Sequence, residues 1–132
     1  MTADIKEQLA HYQKKWAYQK YWVMAQSQQH YNALRLLFKG NDWSVEKATR
    51  FEELIREAES LKPTLKTLRT AYQHVWGYFK KVATDEELAT YKTLEGKLEQ
   101  DADDMLTFLQ ELTAKYQPPY LIQSRLMQKG LS

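Results

Sequence analysis

Apolar residues recur at spacings of three and four along most of this chain, so the pattern predicts helices rather than strands. The clearest run lies in residues 61–82. There Leu61, Leu65, Leu68, Tyr72, Val75, Phe79 and Val82 fall on one side of an α-helix as a continuous seam, which is expected to be buried. One position further round, Lys62, Lys66, Arg69, Gln73, Trp76 and Lys80 form a second stripe, basic along its length and aromatic near one end. Gly77 sits inside this helix, where glycine costs about 1 kcal/mol relative to alanine. Either tight helix packing or the close passage of another backbone or a ligand is expected there.

The remaining elements follow from the same periodicity and from capping residues. Ile5, Leu9, Tyr12 and Trp16 start a first helix near Asp4 that continues through Lys20 and Met24. Its aromatics Tyr12, Trp16, Tyr18, Tyr21 and Trp22 point in several directions, so some of them must meet a second surface: interleaved with Lys14, Lys15 and Lys20 they could stack bases or sugars while the lysines meet phosphates, or the helix is buried on two sides by neighbours or a second subunit. Ser27 caps a second helix with Tyr31, Leu34, Leu37 and Phe38 inward and Gly40 at its end. Ser44 caps a third, whose apolar face is Val45, Ala48, Phe51, Leu54, Ile55, Ala58 and Leu61, and Lys62-Pro63-Thr64 joins it to the fourth. Thr84-Asp85-Glu86-Glu87 has the form of a capping box. Beyond it, Leu88, Tyr91, Leu94, Leu98, Met105, Leu109, Leu112 and Tyr116 predict one helix of about thirty residues, bent near Gly96. Pro118-Pro119 ends it, and a last short helix carries Tyr120, Leu121, Ile122, Leu126 and Met127. The expected fold is all-α: a single-domain bundle of five or six helices with one long helix in its C-terminal half.

Composition narrows the class without naming it. With 132 residues, 43% of them hydrophobic and 27% charged, the chain reads as one globular domain. The absence of cysteine excludes disulfides, thiolate nucleophiles and cysteine-held clusters. Residues 1–10 carry Asp4 and Glu7 and lack the apolar core of a signal peptide, and no run approaches a membrane span, so a cytoplasmic protein is expected. The net charge is only +2, but it is unevenly placed. Residues 8–41, 60–84 and 112–132 contain no acid, while acids crowd the third helix and residues 85–111. Two readings fit: a dipolar molecule with one cationic face that attracts a polyanion, or opposite charges paired across helix interfaces.

Candidate chemistry is sparse. His11, His30 and His74 have no ligand spacing, and Asp101, Asp103 and Asp104 lack the glycine and distal glutamate of a calcium loop, so neither metal nor cofactor is expected. There is no glycine-rich phosphate loop and no nucleophile elbow. His74 could act as an acid or base only if the fold brought a carboxylate to it. The chain is not expected to be an enzyme by itself.

The segment Lys20-Tyr21-Trp22-Val23-Met24-Ala25-Gln26-Ser27, then His74-Val75-Trp76-Gly77-Tyr78-Phe79-Lys80-Lys81, then Pro119-Tyr120-Leu121, resembles the YbgA-like domain of unknown function, and the order and separations match across nearly the whole of 1–132. Gln19 and Gln26 stand where that family commonly shows histidines, and Met127-Gln128-Lys129-Gly130 replaces its proline-containing end. The resemblance implies a helical accessory module that occurs alone or fused to a thiouracil or tRNA-thiouridine desulfidase and helps to hold the tRNA. The expected site is then a basic and aromatic face: Lys20, Lys66, Arg69, Lys80, Lys81 and Arg125 on phosphates, with Tyr21, His74, Trp76, Tyr78 and Tyr120 beside them. The same aromatics suit a second reading, a protein-interaction or homodimerisation module with Tyr18, Tyr21, Trp22 and Trp76 at the interface. A third is a small-molecule pocket near Gly77 lined by His74, Tyr78 and Tyr120.

Overall fold

Side-chain caps divide the chain at the places the sequence marks. Ser27 and Ser44 accept hydrogen bonds from the backbone N–H of His30 and Lys47, and Thr84 forms the expected reciprocal box with Glu87. Thr64 forms a second such box with Thr67. The computed structural model describes residues 3–132, and its elements are α1 (Ala3–Gln26), α2 (Gln28–Leu37), a short 3-10 turn (Lys39–Asn41), α3 (Val45–Glu59), α4 (Leu65–Trp76), α5 (Asp85–Gly96), α6 (Leu98–Tyr116), α7 (Pro119–Ile122) and α8 (Arg125–Lys129). Among the described residues there is no strand, and the fold is all-α. No described helix is long and apolar enough to cross a membrane.

The axis of the bundle is α1, not the fourth helix. Its residues 21–26 are buried without interruption, so this last quarter of the helix is enclosed on every side, and the helix as a whole packs on α2, α3, α4 and α8. Packing within the monomer accounts for most of its aromatics. Tyr12 packs on Trp43 and Phe51, Trp16 on Tyr31 and Phe38, and Trp22 lies beneath the guanidinium of Arg125.

Three expectations change. The seam of residues 61–82 is buried only in its middle: Tyr72, Val75 and Phe79 are enclosed, while Leu61, Leu65 and Val82 are exposed, and α4 itself runs only from Leu65 to Trp76. Gly77 lies at the end of that helix rather than in its interior. A Cβ there would meet the His74 carbonyl oxygen at 3.1 Å, so the nearest constraint is the helix's own last turn.

The thirty-residue helix is an antiparallel hairpin. Lys97 (φ −111°, ψ 13°) and Asp101 (φ −131°, ψ 47°) leave helical geometry just after Gly96, and the chain folds back. Folding back lets Leu98, Met105, Leu109 and Leu112 all reach the common core, whereas a straight rod would carry part of that row away from it. The open end is latched by Glu87, whose carboxylate accepts from Lys115 Nζ at 2.7 Å and Tyr116 Oη at 2.6 Å as well as from Thr84 N–H. Those three donors, the lysine first, hold its pKa down to about 2. The last helix also divides, at Gln123–Ser124, where Ser124 caps α8. These two divisions turn five or six helices into eight.

Candidate functional site

Three stretches distant in sequence meet at one place on the surface of α1. Tyr21 projects from the enclosed end of α1, Tyr78 follows α4, and Tyr120 lies in α7. The Tyr21 and Tyr78 hydroxyl oxygens are 2.8 Å apart and hydrogen-bonded. Both Tyr78 and Tyr120 meet the Tyr21 ring edge-to-face, each with centroids 6.1 Å away. Lys20 completes the cluster, its ammonium 5.8 Å from the Tyr21 ring centroid and 5.9 Å from that of Tyr120.

Local backbone geometry sets this up. After Gly77 the chain tightens, with Tyr78 N–H and Phe79 N–H donating to the carbonyls of Val75 and Trp76. Trp76 and Tyr78 therefore leave α4 on different sides, one 3% exposed and the other 39%. Pro119 opens α7 at a position where its missing N–H costs nothing, and it brings Tyr120 over α1. Gln123 ties α7 down by donating to the Ala17 carbonyl at 3.1 Å.

The electrostatics are unusual for a surface lysine. Among the described residues no carboxylate pairs with Lys20. Partial burial, and then the nearby charge of Arg35, push its pKa below the ordinary lysine value. The phenol of Tyr21 is shifted upward, first by burial and then by its bond to Tyr78, and burial does the same to Tyr120. The site thus holds neutral phenols around a crowded cation. An anion arriving there would relieve the lysine's two penalties together. Next to it, Lys14, Ala17, Pro119, Tyr120 and Gln123 line an open apolar depression of about 550 Å³.

Of the expected site residues, Lys20, Tyr21, Tyr78 and Tyr120 come together, and others do not. Trp76 is not a surface platform: it is buried and stacked on Tyr91, with centroids 4.2 Å apart and planes within 5°. Arg69 is held by Glu95 at 2.9 Å. Arg125 lies 3.7 Å over the Trp22 ring and donates to Gln19 at 2.9 Å and Glu59 at 3.4 Å, a clamp between α8, α1 and α3. His74 is exposed, and its Nδ1 is 2.8 Å from the carbonyl of Thr70 in its own helix. No carboxylate reaches it among the described residues. Lys66, Lys80 and Lys81 are exposed and, among the described residues, free of ion pairs. The cavity that involves Tyr120 opens toward Lys14 and Gln123 rather than toward Gly77 and His74.

Of the two readings of the charge pattern, pairing holds in part: Lys15–Glu52, Arg69–Glu95, Lys115–Glu87 and Arg125–Glu59 pair across helix interfaces, while Lys20 has no carboxylate partner among the described residues. Of the four aromatics of the interface reading, Tyr21, Trp22 and Trp76 are buried in the monomer's own core, and Tyr18 is half-buried. Gln26 donates to the carbonyls of Ala58 and Leu61, closing the C-terminus of α3 against α1.

Periodicity and motif left out Ala17, Arg35 and Gln123, while Lys14 is marked only among the lysines interleaved with the α1 aromatics. The spacing of Lys14, Ala17 and Tyr21, which places them on one face of α1, is the signal that could have found Ala17. No curated protein and no solved structure shows detectable similarity to this chain. A family model does: it matches residues 20–129, a span that contains Lys20, Tyr21, Tyr78 and Tyr120, and by that match the chain belongs to the DUF1722 family of proteins of unknown function.

Proposed function

We propose that this chain is a non-catalytic RNA-binding module that uses the Lys20 cluster as its contact with the nucleic acid. The observation that carries the reading is Lys20 itself, seated against two tyrosine rings with no carboxylate partner among the described residues. A phosphate supplies the missing counter-charge, and exposed phenol rings beside it suit unpaired bases. Lys14 and Arg35 extend the positive strip, and the exposed Lys80 and Lys81 follow Tyr78 in sequence after the buried Phe79. The YbgA-like resemblance makes tRNA the first RNA to test, with thionucleoside metabolism as the setting and a desulfidase-type enzyme as the partner.

The test is fluorescence anisotropy of labelled bulk tRNA from low to physiological salt, with duplex DNA of equal charge alongside. Binding that favours tRNA and weakens log-linearly with salt is expected, and Lys20→Gln should flatten the slope by about 0.7–0.9 for the phosphate it loses. Absence of binding at the lowest salt, or a slope indifferent to Lys20, would end the proposal.

A further inference from the structure

We infer that the depression between α1 and α7 takes a single unstacked base, so that the RNA recognised is single-stranded or looped rather than duplex. This rests on the RNA reading above and adds to it the form of the substrate. The depression is apolar where a base face would lie, against Ala17, Pro119 and the Tyr120 ring. Tyr120 is shared: it lines the depression and also carries Lys20 near its ring. A base seated there would therefore place its own phosphate within the reach of Lys20 or Lys14, two cations on the flanks of the same helix.

Gln123 supplies the polar group that a base edge needs. Its Nε2 donates to two carbonyls, those of Ala17 at 3.1 Å and Tyr120 at 2.6 Å. Because both neighbours are acceptors, the amide orientation is fixed and Oε1 is the atom left over. Among the described residues nothing donates to that oxygen. Every nucleobase except an N-blocked one carries an N–H on its Watson–Crick edge, so the acceptor suits a base while discriminating weakly among the four. A paired base cannot enter, because its edge is already occupied and its faces are stacked.

The charge balance also selects this occupant over an apolar peptide or a lipid chain. The depression is lined by Lys14 and by Tyr120, whose ring also carries Lys20, and a neutral ligand would leave Lys20 without a counter-charge. A nucleotide satisfies the apolar wall and the cation together.

The experiment compares three probes of equal phosphate number on the intact chain at one low salt concentration: oligouridylate, a perfect duplex of half its length between oligouridylate and oligoadenylate, and an abasic ribose-phosphate oligomer. Oligouridylate is expected to bind about tenfold or more tighter than the abasic strand, the scale of one stacked base, and the duplex to bind no better than the abasic strand. Ala17→Met, which fills the depression from a helix surface without removing a charge, should close that gap and leave the salt slope unchanged. If the abasic strand or the duplex binds as well as oligouridylate, the base site is wrong while RNA binding stands. The same holds if Ala17→Met retains the full gap. If none of the probes binds, the RNA reading falls and this inference falls with it.

Discussion

The stretch His74 to Lys81 feeds two aromatic clusters whose fates differ. Trp76 turns inward to stack between Tyr91 and, at 6.3 Å, Phe108. Near that stack the charges are matched, with Arg69 on Glu95. Tyr78, two residues later, turns outward to Tyr21 and Tyr120, where the cation is unmatched. Both clusters combine rings with a basic residue from an acid-free segment, so composition cannot separate them. What separates them is whether the fold brings a carboxylate to the cation: where it does, rings and charges make core, and where it does not, they make a surface that still lacks a partner.

The most forceful way to break the comparison is to truncate the closed cluster. Trp76→Ala should cost about 3–5 kcal/mol, because it empties a buried space against Tyr91 and Phe108 that the hairpin cannot fully collapse into. Denaturant unfolding measures it. A loss below about 1 kcal/mol would mean the stack is not a closed core element.

Acid acts on the same side of the molecule through Glu87. Its carboxyl has a folded-state pKa of about 2 against an ordinary value of 4.5. A lowered acid pKa contributes stability that is complete above 4.5 and is lost as pH falls through the interval down to 2. Melting temperatures of the wild type and Glu87→Gln should therefore lie furthest apart near neutrality and converge over that interval. Parallel curves down to pH 2 would show that the latch on the α5–α6 hairpin does not depend on the charge of Glu87.

How far each half could be read in advance follows from the kind of force that made it. Ser27, Ser44 and Thr84 are local signals, and the helices they start begin where these residues indicate. The Thr64 box escaped notice because its third residue is Thr67 rather than an acid or amide, which is the usual signature. The hairpin was missed because a heptad-like leucine row reads the same whether the chain runs straight or folds back; only Gly96 hinted at the break. For the site, motif residues located Lys20, Tyr21, Tyr78 and Tyr120 but equally suggested Trp76 and Arg125. Burial of Trp76 and the clamp of Arg125 on Trp22 and Glu59 are tertiary facts, invisible to spacing. Lys14 was legible only as one of the lysines interleaved with the α1 aromatics, and Ala17 and Gln123 had no motif at all.

The charge argument can be sharpened by pairing two substitutions that remove one cation each. Arg69→Gln should change stability by roughly 0.2–1 kcal/mol, as expected for a partly exposed ion pair, and leave the RNA salt slope alone. Lys20→Gln should leave stability within about 0.5 kcal/mol, or raise it slightly since a crowded charge is removed, and flatten the slope. If both variants flatten it equally, the Glu95 partner does not withdraw Arg69 from the RNA and the distinction between matched and unmatched cations fails.

The smallest effect tests what holds the open cluster together. The Tyr21 and Tyr78 hydroxyls bond at 2.8 Å, yet Tyr78 is 39% exposed, so water can replace much of what the Tyr78 phenol loses. Tyr78→Phe keeps the ring and should cost about 0.5–1.5 kcal/mol. Tyr21→Phe should cost an amount nearer the lower end of that range for the same bond. If the bond is the interaction that matters, the double variant should cost no more than the larger single one, because the second substitution removes an oxygen that has already lost its partner. Additive losses would instead show that each hydroxyl makes its own terms with solvent. The edge-to-face rings alone would then hold Tyr78 against α1, and Lys20 would keep its seat in both single variants and in the double.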